Sequence, residues 1–187
     1  MLNTILNKAT DTLASIGLFT KVYAIADRVT DGTRTYPAYN GGGGEYTPLE
    51  YDTTNGMAYF RKAGKVGITE DKDIQMTSCG DIFYDIRYPV RLVCLIPKDK
   101  ADCNNSFADD YFANRIISTL SNDAFTGVEN AISVRFTATG YESDNIKVLQ
   151  EEYSNYKEIK DINYQWSYLA IDFIIEVQIS KECLSPC

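Results

Sequence analysis

The chain has 187 residues, the length of one globular domain, and its 14 tyrosines and 8 phenylalanines argue against disorder. It contains no histidine, which excludes catalytic triads built on histidine and zinc sites with histidine ligands. Its net charge of −8 disfavours a broad phosphate-binding face, because affinity for nucleic acid comes mostly from lysine and arginine.

The N-terminal part predicts a helix followed by a β-hairpin. Apolar residues recur at three- and four-residue spacings, which is typical of one apolar stripe on a helix, and Gly17 supplies a stop. These residues are Leu2, Ile5, Leu6, Ala9, Leu13 and Ile16. The next segment is rich in β-forming residues on both sides of Asp31-Gly32, a dipeptide that provides the positive φ of a tight turn. We expect Arg28 and Arg34 on the two arms of this hairpin.

Four consecutive glycines dominate the next segment, residues 40–55. They are Gly41, Gly42, Gly43 and Gly44. Glycine leaves the backbone nearly unrestrained, and no apolar period folds the segment back, so we expect a flexible loop over 41–52. A strand resumes at 57–64, and the charged segment 67–75 has the composition of a second turn-rich stretch.

Alternation of apolar and polar residues predicts two long strands. The first covers 81–98, and Pro89 indicates an edge or a bulge within it. Its apolar face consists of Ile82, Tyr84, Ile86, Tyr88, Val90, Leu92, Cys94 and Ile96. The second covers 168–180 and is typical of a central strand. Its apolar face consists of Leu169, Ile171, Phe173, Ile175, Val177 and Ile179.

A central helix, a strand and a short helix lie between these two strands. Ser106 and Asp109 have the spacing of a capping box that opens a helix at 107–121, with Phe112, Ile116 and Leu120 as its apolar stripe. The strand 131–141 directs Ile132, Val134, Phe136 and Ala138 inward. A short helix is expected after an Asp144 cap.

This order of elements predicts a single α+β domain over 1–187. The long strands are mostly polar on one side, so we expect a mainly antiparallel sheet. The N-terminal helix and the central helix pack on its apolar face, and a long hairpin and an extended loop reach beyond it.

The five cysteines indicate free thiols and not a metal site. They are Cys79, Cys94, Cys103, Cys183 and Cys187. Their number is odd and no CxxC occurs, which favours a reducing compartment. Cys94 stands in an apolar run and is predicted to be a buried thiol, whereas the polar surroundings of Cys103 and Cys187 leave a disulfide open. No segment approaches 18 apolar residues, so we expect a soluble, unexported protein.

The sequence contains no motif of a catalytic, metal or cofactor site, so we expect no enzyme, no catalytic residue, no metal and no cofactor. The glycine run lacks the Lys-Ser/Thr pair and the helix start of a phosphate loop, and Glu45 would repel a phosphate. Acid pairs such as Asp109-Asp110 are interpreted as solvated surface charge, because neighbouring residues on a helix point in different directions. A cysteine nucleophile would need an activating base, and histidine is absent.

Tyrosines cluster around the glycine run, which favours a protein interface. Tyrosine provides rigid contact area with a hydrogen-bonding tip. The predicted interface consists of Arg28, Asp31, Gly32, Arg34, Tyr36, Tyr39, Gly41, Gly42, Gly43, Gly44, Tyr46 and Tyr51. The alternative is that Tyr36 and Tyr59 simply pack on the sheet.

In element order the chain resembles the neck-ring, tail-terminator and tail-completion proteins of tailed bacteriophages. The resemblance rests on the strand RYPVRLVCLIPK, the helix FADDYFANRIISTLS and the closing VLQEEY with YLAIDFIIEV, which look most like a neck-ring protein of the crAss-like group. It implies a virion subunit, assembled in the host bacterial cytoplasm, that forms a homo-oligomeric ring in the head-to-tail connector. Its implied partners are itself and neighbouring portal, ring or tail proteins; DNA passes through without specific binding, and no membrane is involved.

Charge is unevenly distributed along the chain, with +1 over residues 1–66 and −9 over the remainder. This division suggests that the hairpin and glycine loop dock on neighbouring proteins while part of the acidic remainder faces the channel. The alternative function is a monomeric secreted or surface module that binds a peptide or glycan through the same tyrosines.

Overall fold

The computed structural model contains three α-helices and nine strands within the residues it describes. Those residues are 1–40, 45–50, 56–71, 83–101, 107–123, 125–144, 146–153 and 166–180. The helices are α1 (Leu2–Ser15), α2 (Ala108–Asn122) and α3 (Lys147–Glu152). The strands are β1 (Phe19–Tyr23), β2 (Asp27–Asp31), β3 (Arg34–Asn40), β4 (Tyr46–Pro48), β5 (Gly56–Lys62), β6 (Gly67–Asp71), β7 (Phe83–Pro97), β8 (Ala131–Asp144) and β9 (Trp166–Ser180).

The strands form two sheets, and the larger one confirms the expected α+β fold with a mainly antiparallel sheet. Its order is β1-β5-β7-β9-β8, and β6 also pairs with β7. All its pairs are antiparallel except β1 with β5. The prediction of β9 as a central strand is confirmed, since β7 and β8 flank it. The smaller sheet has the order β2-β3-β4.

The N-terminal and central helices cover one face of the larger sheet, as predicted. The apolar stripe of α1 is buried, and the chain leaves this helix through Gly17, whose φ is +74°. The buried side chains of α2 are Ala108, Phe112, Ala113, Ile116 and Leu120. Both helices pack against the inward side chains of β7 and β9, including the fully buried Cys94 thiol. Cys94 is thereby confirmed as a buried thiol; the other four cysteines lie outside the described residues.

A second apolar cluster lies on the opposite face of the sheet, where the sequence predicted mostly polar residues. Val93, Leu95, Tyr168 and Ala170 are buried on this face, beneath α3 and the smaller sheet. The two faces of β7 and β9 are therefore both buried over this half of the strands. The rest of the two strands keeps a polar face, on which Arg91 forms an ion pair with Asp172 at 2.6 Å and Arg87 forms one with Glu176 at 3.2 Å.

Pro89 stands where β7 changes partner. On that side β5 ends opposite Val90 and β6 begins opposite Arg87, and the Ala63 amide donates to the Pro89 carbonyl at 3.0 Å. The prediction of a local edge is therefore confirmed, although β7 is an interior strand. The missing N–H of proline costs no ladder bond, because the N and C=O of one strand residue face the same side. No register shift interrupts the pairing of β7 with β9, so Pro89 does not mark a bulge in this ladder.

Strand β8 contains the bulges instead. Its register against β9 shifts between Ala131 and Ser133 and between Ala138 and Gly140. The extra residue at the first shift is Ile132, which is 55% exposed. The prediction that Ile132 points inward is therefore wrong, because a bulge breaks the alternation of faces. Phe136, between the two bulges, is buried as predicted.

Some predicted loops and caps differ from the structure. The predicted loop 41–52 contains β4, and the predicted turn-rich stretch at 67–75 contains β6, which pairs with β7. Asp144 does not cap α3, because its pairing with Tyr168 keeps it in β8 and Ile146 takes the N-cap position. Phe107 is the N-cap residue of α2; the predicted capping residue Ser106 lies outside the described residues.

Gly56 offers a direct test of this packing. A Cβ at this position would clash with the Leu18 carbonyl oxygen and lie 3.1 Å from the Leu95 carbonyl oxygen. We expect Gly56→Ala to lower the free energy of unfolding by about 1–3 kcal/mol in urea titrations, because two backbone segments must move apart. Gly140→Ala is the matched control, since its Cβ would meet nothing within 4 Å. Equal stability of the two variants would contradict the close approach at Gly56.

Candidate protein-binding site

The smaller sheet positions most of the predicted interface residues. Its hairpin joins β2 to β3 through Gly32 and Thr33, with Asp31 paired to Arg34 as the last rung. Gly32 has a φ of +59°, whereas Thr33 is not in the positive-φ region. This combination is typical of a type II′ turn, in which glycine is needed at the first loop position. The hairpin prediction is confirmed, with the turn one residue later than Asp31-Gly32.

The smaller sheet is fixed to the larger one by one backbone hydrogen bond and one buried leucine. The Ala26 amide, just before β2, donates to the Phe60 carbonyl of β5 at 2.8 Å. Within the smaller sheet, the Leu49 amide donates to the Pro37 carbonyl at 3.0 Å and holds the leucine in position. Leu49 is only 1% exposed and belongs to the second apolar cluster. Burial of a leucine side chain contributes about 2 kcal/mol, which adds to the hydrogen bonds between β3 and β4.

A tyrosine-lined cleft of about 450 Å³ separates the smaller sheet from α1. The tyrosine cleft is lined by Tyr23, Tyr39 and Tyr46 together with Asn3, Asn7 and Thr10. The rings of Tyr23 and Tyr39 contact each other at a tilt of 33°, with centroids 5.2 Å apart, and Tyr46 is 44% exposed. The hydroxyl of Tyr23 accepts a hydrogen bond from the Glu50 amide at 3.2 Å, which ties the residues after β4 to β1.

The chemistry of the tyrosine cleft suits a polypeptide. Asparagine side chains offer both donors and acceptors to a peptide backbone, and stacked tyrosines supply apolar area with little entropy to lose. The charged residues that line it are Asp27 and Lys62, one of each sign. The Tyr23 hydroxyl is protonated at neutral pH and can donate to a ligand, and burial raises its pKa above the usual value.

A second cleft, of about 570 Å³, contains more positive charge than negative charge. This cationic cleft is lined by Arg28, Arg61, Lys62, Arg91, Glu152 and Asp172 among others. Arg91 binds Asp172 through two hydrogen bonds of 2.6 and 2.7 Å, and Arg61 reaches Glu152 at 3.3 Å. Within the described part of the chain, Arg28 and Lys62 form no ion pair, so the cleft retains two uncompensated cations.

The structure brings only some of the predicted interface residues together. Tyr39 and Tyr46 meet in the tyrosine cleft, but Arg28 lies in the cationic cleft, and Arg34 pairs with Asp31 at 3.8 Å at the exposed hairpin tip. Such exposed pairs contribute little to stability. Gly41, Gly42, Gly43, Gly44 and Tyr51 lie outside the described residues.

The packing alternative holds for Tyr59 and in part for Tyr36. Tyr59 is buried, and Tyr36 packs partly buried against the second apolar cluster. Tyr23 and the α1 residues Asn3, Asn7 and Thr10 line the tyrosine cleft but were not predicted from the sequence. A signal for the α1 residues was present, since positions 3, 7 and 10 share one polar helix face at spacings of four and three.

Tyr153 is buried in the second apolar cluster, and its burial makes the free energy of unfolding depend on pH in the alkaline range. Burial raises the pKa of Tyr153 to about 12, so the folded state holds this proton more tightly than the unfolded state, where the pKa is near 10. The stabilisation is therefore complete below pH 10 and is lost as pH rises towards 12. We expect Tyr153→Phe to reduce the alkaline fall in unfolding free energy by roughly 1–2 kcal/mol. Urea titrations between pH 9 and about 11.5 measure it, and a slope as steep as that of the wild type would contradict the assignment.

Among the described residues, no group of three or more cysteine, aspartate or glutamate side chains is arranged to hold a metal ion. No helix in that part of the chain is long and apolar enough to cross a membrane. No protein-family model matches the chain. No curated protein shows significant similarity to it.

Proposed function

We propose that this protein is a structural virion subunit that forms a ring in the head-to-tail connector of a tailed bacteriophage. The ring joins portal to tail and leaves a channel for DNA. In this role the chain is not an enzyme; it assembles in the host bacterial cytoplasm and docks on neighbouring portal, ring or tail proteins.

The observation that carries the proposal is the tyrosine cleft. Tyr23 of β1 in the larger sheet and Tyr39 and Tyr46 of the smaller sheet line an open space beside α1. Aromatic side chains at a neutral, concave surface are typical of protein-binding sites. The uncompensated Arg28 and Lys62 of the adjacent cationic cleft favour a partner that brings a carboxylate.

The order of elements gives further support. An N-terminal helix, a hairpin, a long strand, a central helix and a long final strand occur in the order on which the resemblance to neck-ring and tail-terminator proteins rests. A subunit of a closed ring also needs two different contact surfaces, and the smaller sheet extends the molecule beyond its main sheet.

The alternative is a monomeric secreted or surface module that uses the tyrosine cleft to bind a peptide. The cleft volume of about 450 Å³ is within the range of small-ligand sites, which favours this alternative. Native mass determination separates the two functions. A closed oligomer without disulfides supports the ring, whereas a disulfide-bonded monomer supports the module.

Location in the particle tests the proposed function directly. Gold-labelled antibodies against the chain should mark the junction of head and tail in purified virions, and Tyr46→Ala should reduce its incorporation severalfold because the cleft loses its exposed aromatic ring. Tyr46→Phe is the control, since it keeps the contact area and removes only the hydroxyl. Virions that lack the chain, or that contain it only in the head shell or tail tip, would overturn the proposal.

A DNA channel requires weak contact with DNA. We expect filter binding to detect no retention of duplex DNA at moderate salt, because a chain of net charge −8 releases few counterions from the phosphates. Salt-dependent retention under these conditions would contradict a channel in which DNA slides. A duplex-binding protein of similar size is the positive control.

A further inference from the structure

The larger sheet has two open edges at the same end. Among the described strands, β6 pairs with β7 alone and β8 pairs with β9 alone, so the local strand order is β6-β7-β9-β8. Within the described part of the chain, no strand covers the outer edge of either β6 or β8. Open edges present unpaired backbone N–H and C=O groups and readily accept another strand.

Strand directions allow one copy to continue the sheet of another. The three pairs β6 with β7, β7 with β9, and β9 with β8 are all antiparallel. Strand β8 therefore runs opposite to β6. A second copy placed alongside in the same orientation brings its β6 antiparallel to β8 of the first, and the alternation continues across the junction.

An apolar row crosses this end of the sheet and remains exposed at one edge. Ile68 pairs with Ile86, Ile86 with Val177, and Val177 with Val134, so the row joins β6 to β8 at one height. Ile86 and Val177 are buried and Val134 is half-buried, whereas Ile68 is 67% exposed. Pairing of β6 with β8 of a neighbour would continue the row and bury Ile68. The exposed Ile132 lies on the β8 edge strand near the same end.

Charge favours pairing of unlike edges over pairing of like edges. The five-residue sequence of β6 contains Glu70 and Asp71 and no basic residue. The first eight residues of β8 contain Arg135 and no acidic residue. Arg135 forms no ion pair within the described part of the chain. Contact of β6 with β6 would join acid to acid, whereas this part of β8 places no acid against β6. Continuing the row from Val134 to Ile68 sets Arg135 opposite Gly67.

We propose that copies of this chain assemble head to tail by pairing β6 of one copy with β8 of the next. Such a heterologous contact produces a ring when the rotation between copies closes. This inference rests on the proposed function, for which it names the contact between subunits.

Two edge variants and their mixture test the pairing. Ile68→Lys blocks the β6 edge and Ile132→Lys blocks the β8 edge, both at exposed positions where the isolated fold tolerates lysine. Ala14→Lys, at an exposed position on α1, adds the same charge away from both edges. Native mass determination should give a closed oligomer for the wild type and for Ala14→Lys, and a single 21.0 kDa chain for each edge variant. Circular dichroism checks that every variant is folded.

The mixture identifies which edges meet. When the two edge variants are combined, the intact β8 of Ile68→Lys can pair with the intact β6 of Ile132→Lys, so a dimer of unlike chains should form and grow no further. Assembly of Ile68→Lys by itself would instead indicate contact of β8 with β8 and overturn the proposal. A wild type that stays monomeric in native mass measurements would also overturn it.

Hydrogen exchange gives an independent measurement at an unmutated edge. Backbone amides of β8 should be protected in the wild-type oligomer and lose that protection in Ile68→Lys, whose own β8 is unchanged. Unchanged protection of β8 would contradict the pairing. If the edges pair as described but antibodies find no chain in virions, the pairing holds and the proposed function fails. If antibodies against the chain mark the neck while Ile68→Lys still forms the ring, the proposed function holds and the pairing of β6 with β8 fails.

Discussion

The pairing of β7 with β9 is the interaction on which the rest of the structure depends. Their ladder continues without a register shift from Phe83 opposite Ser180 to Pro97 opposite Trp166. Strands of 15 residues span roughly 50 Å, whereas helices of 14 and 15 residues rise only about 21–23 Å. The apolar face of this ladder is nevertheless buried along β9 from Leu169 to Ile179. The opposite face is covered by the second apolar cluster only towards Leu95 and Tyr168, so the two ends of the ladder differ in how that face is covered.

Pro89 divides the ladder into these two parts. Beyond it, towards Pro97, β7 pairs with β5, and both faces of the sheet are covered from Val93 onwards, past the ion pair of Arg91 with Asp172. Before it, towards Phe83, β7 pairs with the short β6, and ion pairs such as Arg87 with Glu176 occupy the polar face. A proline in a strand flanked on both sides is normally costly. Here Pro89 stands in the gap between β5 and β6, where the ladder needs no N–H donor. The change of partner strand therefore makes the proline tolerable at this position.

The parts of the fold that follow from local periodicity could be predicted from the sequence, and those that depend on tertiary contacts could not. The helices, the hairpin and the two long strands each have a clear apolar period. The second apolar cluster was missed because Val93 and Tyr168 were assigned to the polar face by alternation alone, although the runs around them are continuously apolar. Strand β4 has three residues, too few for a period, and its position comes from β3 and the buried Leu49. Tyr39 and Tyr46 were predicted for the site, but the side of the cleft formed by α1 arises only on folding.

The length of the ladder also separates two kinds of contact. The smaller sheet with its tyrosine cleft packs near Leu95, whereas the open edges of β6 and β8 lie near Ile86. The cleft also includes Lys62, which pairs with Val90, so four to nine residues of extended strand, roughly 13–30 Å, separate the two regions. A partner bound at the cleft and a neighbouring copy bound at the edges would therefore not compete for one surface. Sites at this separation that share no residue contribute to the free energy of association almost independently. A subunit of a stacked ring has this requirement, because it must hold its neighbours around the ring and different proteins above or below at the same time.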